Sequence, residues 1–210
     1  MQQRYYDPLI GRFLSVDPVT AYSKGADFFN RYKYANNNPY RFTDPDGREV
    51  VYAYGEGISA SDGRRFMISV AGFSETAHSE MRQLEESGKT YTVLIDNNVQ
   101  PGYDPNTRTV RLNPSYGFRI KSTGQVQSPK VNSGHEITHA AEHDRVGDKA
   151  FGTALKRPTN SDGTKGVSPE EKRATIVERK IGEELGEPTR KDYKDAGDMV
   201  KCNPKATTGC

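Results

Sequence analysis

The stretch His135-Glu136-Ile137-Thr138-His139 decides how the rest of this sequence is read. Its two histidines are four residues apart, and residues at this spacing share one face of an α-helix. His135 and His139 can therefore direct one imidazole each at a single metal ion, and this helical pattern is known from zinc sites. Glu136 lies beside the pair, where its carboxylate can reach a metal-bound water and accept a proton from it.

The alternative is an ordinary helix in which the histidines bind no metal and Glu136 is a solvated charge. The distribution of histidine argues against this alternative. The chain has four histidines, His78, His135, His139 and His143, and three of them lie in this one segment. We therefore expect a zinc site here, with Zn²⁺ as the cofactor.

The third ligand has to come from elsewhere in the chain, since a catalytic zinc ion needs three protein ligands and one open position for water. His143 does not fit, because it is eight residues from His135, which is about 12 Å along a straight helix. We expect it to be a surface residue or to lie behind the ligands. The candidates are Glu171 and Glu178, which are seven residues apart and share one face of a later helix.

Both glutamates also have structural interpretations. Ser168 and Glu171 have the spacing of a capping box, in which the glutamate side chain turns back to the serine backbone N–H. Glu178 could instead pair with Arg179 or Lys180 at the surface. We take Glu171 as the third ligand and keep Glu178 as the alternative.

Composition and charge limit the class of protein. A length of 210 residues suits one domain and a smaller piece. A net charge of +2, without a dense Lys/Arg block, argues against nucleic-acid binding. No apolar run approaches the roughly 18 residues of a membrane span, and the N-terminus is not a signal peptide. We expect residues 196–210 to be a flexible tail with Cys202 and Cys210 reduced, and a small disulfide loop is the alternative.

Residues 1–47 differ in composition from the rest, being rich in Tyr, Asn, Pro and Asp. Their Asp-Pro, Asn-Pro and Asp-Gly pairs form turns between short aromatic strands. The order of motifs is R-Y-Y-D-P, G-R-F-L-S-V-D-P, Y-K-Y, N-N-P and D-P-D-G, which resembles the C-terminal end of the RHS repeat-associated core domain. The resemblance covers about a quarter of the chain. It implies turn-rich β structure, an upstream shell of RHS repeats, and a toxin domain that begins after Gly47.

Self-cleavage is a further implication of this resemblance. RHS proteins often cut their own chain just after the D-P-x-G motif, using aspartates of the core. Asp17 matches the aspartate of the family's S-x-D-P motif and is the candidate here. Its other interpretation is a turn-initiating Asp-Pro pair. The leucine that usually follows D-P-x-G is Arg48 in this chain, which departs from the self-cleaving pattern.

Residues 48–195 have the pattern of a mixed α+β domain. We predict strands at residues 49–54, 65–70, 90–95 and 108–112, the first two as a hairpin. We predict helices at residues 74–84, 129–143 and 169–185, with caps at Ser74, Ser128 and, as a stop, Gly186. Short antiparallel strands, an H-E-x-x-H helix and a later glutamate-rich helix are the order of a small zincin-like domain.

A second resemblance covers about 60 residues of this domain. The motif H-E-x-x-H-A, the helix pattern E-E-x-x-A…E and the ending E-L-G…R…Y, which contains Arg190 and Tyr193, resemble the M91 zinc metallopeptidases, a group that includes bacterial secreted effectors. The resemblance implies that Tyr193 or Arg190 donates a hydrogen bond to the oxyanion of a tetrahedral intermediate. Packing and surface charge near the end of the domain are the other interpretation of both residues.

These patterns and resemblances predict the effector domain of an RHS polymorphic toxin, a zinc endopeptidase that cleaves a target-cell protein. The expected partners are that substrate, a cognate immunity protein and the upstream RHS shell, with neither nucleic acid nor a membrane span. Delivery by a specialised secretion system, without a signal peptide of its own, would bring the domain to the target-cell cytoplasm. The alternatives are a toxin of another class, such as a nuclease, and a zinc-stabilised binding module.

Overall fold

The computed structural model describes residues 6–7, 12–13, 50–55, 57–202 and 210. In the N-terminal segment, strand β1 (Tyr6–Asp7) pairs antiparallel with β2 (Arg12–Phe13). Asp17 and the predicted boundary at Gly47 lie outside the described residues. The described part of the chain is a mixed α+β structure, as the sequence predicts.

The main sheet has four strands in the order β3 (Val50–Tyr54), β4 (Tyr91–Ile95), β6 (Thr109–Leu112) and β5 (Gly102–Asp104). The first three are parallel, and only the edge strand β5 runs antiparallel to its neighbour β6. The expectation of antiparallel strands is therefore wrong for most of this sheet. Two helices connect β3 to β4, and a crossover of this kind allows neighbouring strands to run parallel.

The predicted second strand at residues 65–70 is wrong, because these residues belong to helix α1 (Ala60–Ala71). The Ser59 hydroxyl caps this helix by accepting the backbone N–H of Asp62. The buried positions of the helix are Gly63, Met67 and Val70, which recur with helical spacing. The apolar run by itself predicts a strand. The burial of one face at helical spacing is the pattern of a helix.

The other predicted helices are confirmed. Helix α2 (Glu75–Glu85) begins after Ser74, whose hydroxyl accepts from Ala77 N. Helix α3 (Pro129–Ala154) begins after Ser128 and continues beyond the predicted end, with a break at Gly147, where φ is 78°. Helix α4 (Pro169–Leu185) ends at Gly186 in the left-handed conformation.

The domain has a second, antiparallel sheet that the sequence does not predict. It has the order β8 (Val126–Gln127), β7 (Tyr116–Ile120) and β9 (Ala196–Lys201). The expected flexible tail is therefore wrong for residues 196–201, since β9 pairs with β7 along most of its length. Its sequence has no strand signal of its own, and the partner strand supplies the order. Cys202, which follows β9, is buried and forms a disulfide with Cys210, so the reduced pair expected from the sequence is also wrong.

Helix α3 lies at the centre of the domain, packed against α1, α2, α4 and β6. Its residues Ile137, Ala140 and Ala141 are fully buried in the hydrophobic core, together with side chains of β3, β4 and β6. The two histidines of the H-E-x-x-H motif occupy another face of the same turns, as helical geometry requires. The core thus fixes the face of α3 that carries the histidines. Within the described residues, none of the helices is long and apolar enough to cross a membrane.

Candidate metal centre

Three side-chain atoms form a small triangle between α3 and α4. His135 Nε2 lies 3.1 Å from His139 Nε2 and 3.1 Å from Glu171 Oε2. The third side of the triangle, from His139 Nε2 to Glu171 Oε2, is 3.3 Å. A single metal ion can contact all three atoms of so small a triangle, and His135, His139 and Glu171 form a potential metal-binding group.

Close packing of the two helices brings Glu171 to the histidines. A Cβ at Gly134 would lie 2.6 Å from Ile181 Cδ1, so α4 can approach α3 this closely only where a side chain is absent. At the start of α4 the Ser168 hydroxyl accepts the backbone N–H of Glu171 at 3.2 Å. The predicted helix cap is present, and the carboxylate of Glu171 contacts the histidines.

Two further carboxylates contact the opposite nitrogens of the histidines. His135 Nδ1 lies 2.8 Å from Glu178 Oε2, and His139 Nδ1 lies 3.0 Å from Glu170 Oε1. Both glutamates are almost fully buried. Glu178, the alternative third ligand, therefore lies on the far side of the His135 ring from the triangle. The role of Glu170 was missed, although the adjacent acidic pair at the start of α4 was a signal for it.

Each of these buried carboxylates has a guanidinium partner. Arg190 donates to Glu178 through Nε at 2.8 Å and through a terminal nitrogen at 2.5 Å. Its guanidinium carbon lies 5.1 Å from the ring centroid of Phe118 and 4.9 Å from that of Tyr193. Arg173 Nε donates to Glu170 at 3.1 Å. The sequence suggests Arg190 as an oxyanion donor. In the structure, two of its N–H groups donate to Glu178 instead.

The electrostatics of the centre favour bound positive charge. Burial by itself lowers the pKa of His139, but hydrogen bonds to Glu170 and Glu171 outweigh it and raise the pKa to about 10. The pKa of His135 is also raised, because Glu171 and Glu178 overcome its burial. Burial favours the neutral form of Glu171, yet its contacts with both histidines hold its pKa well below the usual range. The carboxylates stay ionised and favour positive charge on the two imidazoles, and a bound metal ion would displace the protons on Nε2.

A cavity of about 360 Å³ opens over the triangle. Glu136 is half-buried and lines it, next to the three candidate ligands. Tyr193 lines it as well, with its ring centroid 6.4 Å from that of His135. Burial raises the pKa of Tyr193, and Glu171 adds to the effect, so the phenol keeps its proton. The two residues that the sequence suggested for catalysis therefore lie at the same opening.

His143 lies apart from the triangle, as its position along the helix predicts, but it is buried rather than at the surface. Its Nδ1 lies 2.6 Å from the Tyr103 hydroxyl and its Nε2 lies 2.7 Å from Asp148. The imidazole stacks on Phe151 with ring centroids 4.6 Å apart. These contacts tie the far end of α3 to the edge strand β5.

The chain is similar to known proteins over short stretches, and these proteins include tRNA nucleases and a toxin subunit. The chain is 36% identical over 77 residues to the tRNA(Glu)-specific nuclease WapA of Bacillus subtilis subsp. natto, and 41% identical over 63 residues to the tRNA nuclease WapA of Bacillus subtilis. It is 50% identical over 44 residues to the toxin subunit YenC2 of Yersinia entomophaga. These stretches cover 37%, 30% and 21% of this chain.

The relatives are much larger proteins than this one. The chain spans only 3 to 4% of the length of these three relatives. No family model matches the chain, and no solved structure is significantly similar to it.

Proposed function

We propose that this chain carries the zinc-dependent endopeptidase domain of a polymorphic toxin. The observation that carries the proposal is the triangle of His135 Nε2, His139 Nε2 and Glu171 Oε2, with Glu136 beside it in the same cavity. Two imidazoles and one carboxylate, with a cavity above them, correspond to a catalytic zinc site that keeps a fourth position open.

The dimensions of the triangle support zinc. Zinc in proteins is tetrahedral, with bonds to nitrogen and oxygen of about 2.0–2.2 Å. A tetrahedron with bonds of about 2.05 Å has edges of about 3.3 Å between its corners. The three sides of the triangle are 3.1, 3.1 and 3.3 Å. His135, His139 and Glu171 would hold the ion, which when bound supplies a Lewis acid for the peptide carbonyl and for water.

Glu136 performs the proton transfers in this proposal. Its carboxylate takes a proton from the attacking water and delivers it to the nitrogen of the leaving amine. Tyr193 keeps its hydroxyl proton and can donate it as a hydrogen bond to the oxyanion of the tetrahedral intermediate. Arg190 lies against the ring of Tyr193 and helps to hold it at the cavity.

Glu178 and Glu170 orient the two histidine ligands. With each carboxylate accepting the Nδ1–H of one imidazole, a bound metal ion would replace the proton on Nε2, the nitrogen that faces the triangle. Arg190 and Arg173 compensate the charge of the two carboxylates. These contacts support a preformed site in which the rings need not turn to bind the ion.

The toxin part of the proposal rests on residues 1–47 and on the relatives. The motifs of that segment resemble the end of an RHS core domain, and YenC2 is a toxin subunit. In this proposal the upstream RHS shell carries the domain, a specialised secretion system delivers it to the cytoplasm of the target cell, and a cognate immunity protein protects the producing cell.

Metal content and cleavage test the proposal together. We expect about one zinc per chain by elemental mass spectrometry, and cleavage of unfolded proteins detected as new termini. Glu136→Gln should keep the zinc and reduce cleavage by about 10²–10⁴-fold. His139→Ala should lose both. His78→Ala is the matched control, because His78 does not line the cavity, and it should change neither. Full activity of Glu136→Gln would contradict the proposed mechanism.

A nuclease is the second candidate, because two of the relatives are tRNA nucleases by name. The greater part of this chain lies outside each match. Among the described residues that line the cavity, Arg190 is the one Lys or Arg side chain, and it is paired with Glu178. Degradation of purified tRNA by wild type but not by His139→Ala, without cleavage of any protein, would establish the nuclease instead.

A further inference from the structure

The cavity has an apolar wall that the proposed chemistry does not use. It consists of Pro101, Tyr103, Pro105, Phe151 and Leu155, and we call it the apolar recess. The rings of Tyr103 and Phe151 meet edge to face, with centroids 6.0 Å apart. Both rings contact His143, one turn beyond the ligand His139. The recess therefore lies toward the C-terminal end of the metal-binding turns.

The break in α3 produces one side of the recess. Gly147 has φ 78° and ψ 168°, a conformation that only glycine adopts without strain. Beyond this break the helix resumes, and Phe151 and Leu155 line the cavity. Phe151 is 2% exposed and forms a fixed floor, whereas Leu155 is 37% exposed and borders the opening. The other side of the recess consists of Tyr103 on strand β5 and of Pro101 and Pro105, which flank this strand.

The composition of the recess selects against charged groups. None of its five side chains is ionisable at neutral pH. The one Lys or Arg side chain among the described residues that line the cavity, Arg190, is paired with Glu178. An acidic side chain would therefore lose its hydration in the recess without a free Lys or Arg partner, and this opposes its binding.

We propose that the apolar recess binds an aliphatic or aromatic side chain of the substrate, close to the scissile bond. The inference rests on the proposed peptidase function and names its substrate class, which is an unfolded or extended polypeptide with an apolar residue beside the cleaved bond. The cavity volume of about 360 Å³ is at the lower end of the range for ligand pockets and suits a short stretch of chain.

A peptide library tests the inference with the zinc-loaded full chain. Wild type should cut next to Leu, Ile, Met or Phe. Leu155→Lys should lower kcat/KM for the best apolar substrate by at least about 10-fold, and should raise its relative rate on peptides with Glu or Asp at that position. Val146→Lys is the matched control, since Val146 lies on α3 and is 42% exposed, close to the 37% of Leu155, but does not line the cavity. It should keep the wild-type profile and zinc content.

The outcomes separate the inference from the function on which it rests. Cleavage that Glu136→Gln abolishes, but with a preference for charged residues, would overturn the recess and leave the peptidase standing. An unchanged cleavage preference in Leu155→Lys would also overturn the role of the recess and leave the peptidase standing. Absence of any cleavage that depends on Glu136 would overturn the peptidase and the inference with it.

Discussion

Glu178 is the residue on which the orientation of His135 depends. It is fully buried, its Oε2 lies 2.8 Å from His135 Nδ1, and it receives two hydrogen bonds from Arg190. Its burial by itself disfavours the charged form, but His135 and Arg190 lower its pKa and keep it ionised. A single side chain thus links the proposed ligand to a buried guanidinium.

Glu178→Gln should weaken zinc binding by about 10–100-fold, because the amide is a poorer acceptor for the Nδ1–H. It should also lower the free energy of unfolding by about 3–5 kcal/mol, since the Arg190 charge stays buried without its counter-charge. Zinc competition titration and urea unfolding measure the two effects. Glu183→Gln, an exposed position on the same helix, is the control. Unchanged zinc affinity in Glu178→Gln would contradict the proposal that Glu178 orients His135.

The sequence predicts the histidine pair directly, and its choice of Glu171 over Glu178 agrees with the triangle without following from a spacing rule. The spacing of His135 and His139 is a property of one helix, so the pair could be read directly. The choice between Glu171 and Glu178 depends on which side of the His135 ring each carboxylate reaches, and this is set by the packing of α4 on α3. No spacing rule along the chain contains that information.

At the scale of elements, Gly147 separates two parts of α3. The part before it carries the histidines, and the part after it carries Phe151. Gly147→Ala should lower the free energy of unfolding by about 1–3 kcal/mol, because alanine is strained at this φ and ψ. Relief of that strain would move Phe151, so cleavage of apolar substrates should also fall. Thermal unfolding and kcat/KM measure the two effects.

Gly152→Ala is the matched control for this prediction. Gly152 is in the same helix, and a Cβ there meets no atom within 4 Å. Because alanine has the higher helix propensity, Gly152→Ala should be neutral or stabilising by up to about 1 kcal/mol. Equal stability of the wild type and Gly147→Ala would show that the break does not depend on glycine.

Elements with local signals were predicted well, and elements that depend on distant partners were not. The serine caps of α2, α3 and α4 were identified from the sequence because a cap involves only the next three residues. The sequence predicts a tail at strand β9, because the pairing of β9 with β7 joins residues about 80 positions apart and has no local signal. The apolar residues of helix α1 are consecutive, which predicts a strand, but the core contacts only one side of them.

At the scale of the whole molecule, Asp144 joins α3 to helix α2, to strand β4 and to the loop between them. It accepts hydrogen bonds from Gln83 at 2.7 Å, Ser87 at 2.6 Å and Tyr91 at 3.1 Å. Lys89 pairs with the same carboxylate. Burial opposes its ionisation, but these partners together lower its pKa.

Because the pKa of Asp144 is lower in the folded protein than in the unfolded chain, its contribution is complete above about pH 4 and is lost as the pH falls below this value. Asp144→Asn should therefore lower the free energy of unfolding by about 1–3 kcal/mol at pH 7, and by much less near pH 3. Urea unfolding across this range measures the difference. A constant difference at every pH would mean that the charge has no part in the effect. Asp198→Asn, an exposed carboxylate on β9, is the control.

The meeting of α3 and α4 at the triangle has a consequence for the chain as a polymer. His135 and Glu171 are 36 residues apart, and an ion shared between them is a crosslink that closes the intervening loop. Loop closure of this kind restricts the unfolded chain, and it exists only while the ion is bound. Metal uptake would then couple catalysis to mechanical strength: the apo domain would be the easier one to thread through a narrow channel, and the loaded domain the harder one to unfold.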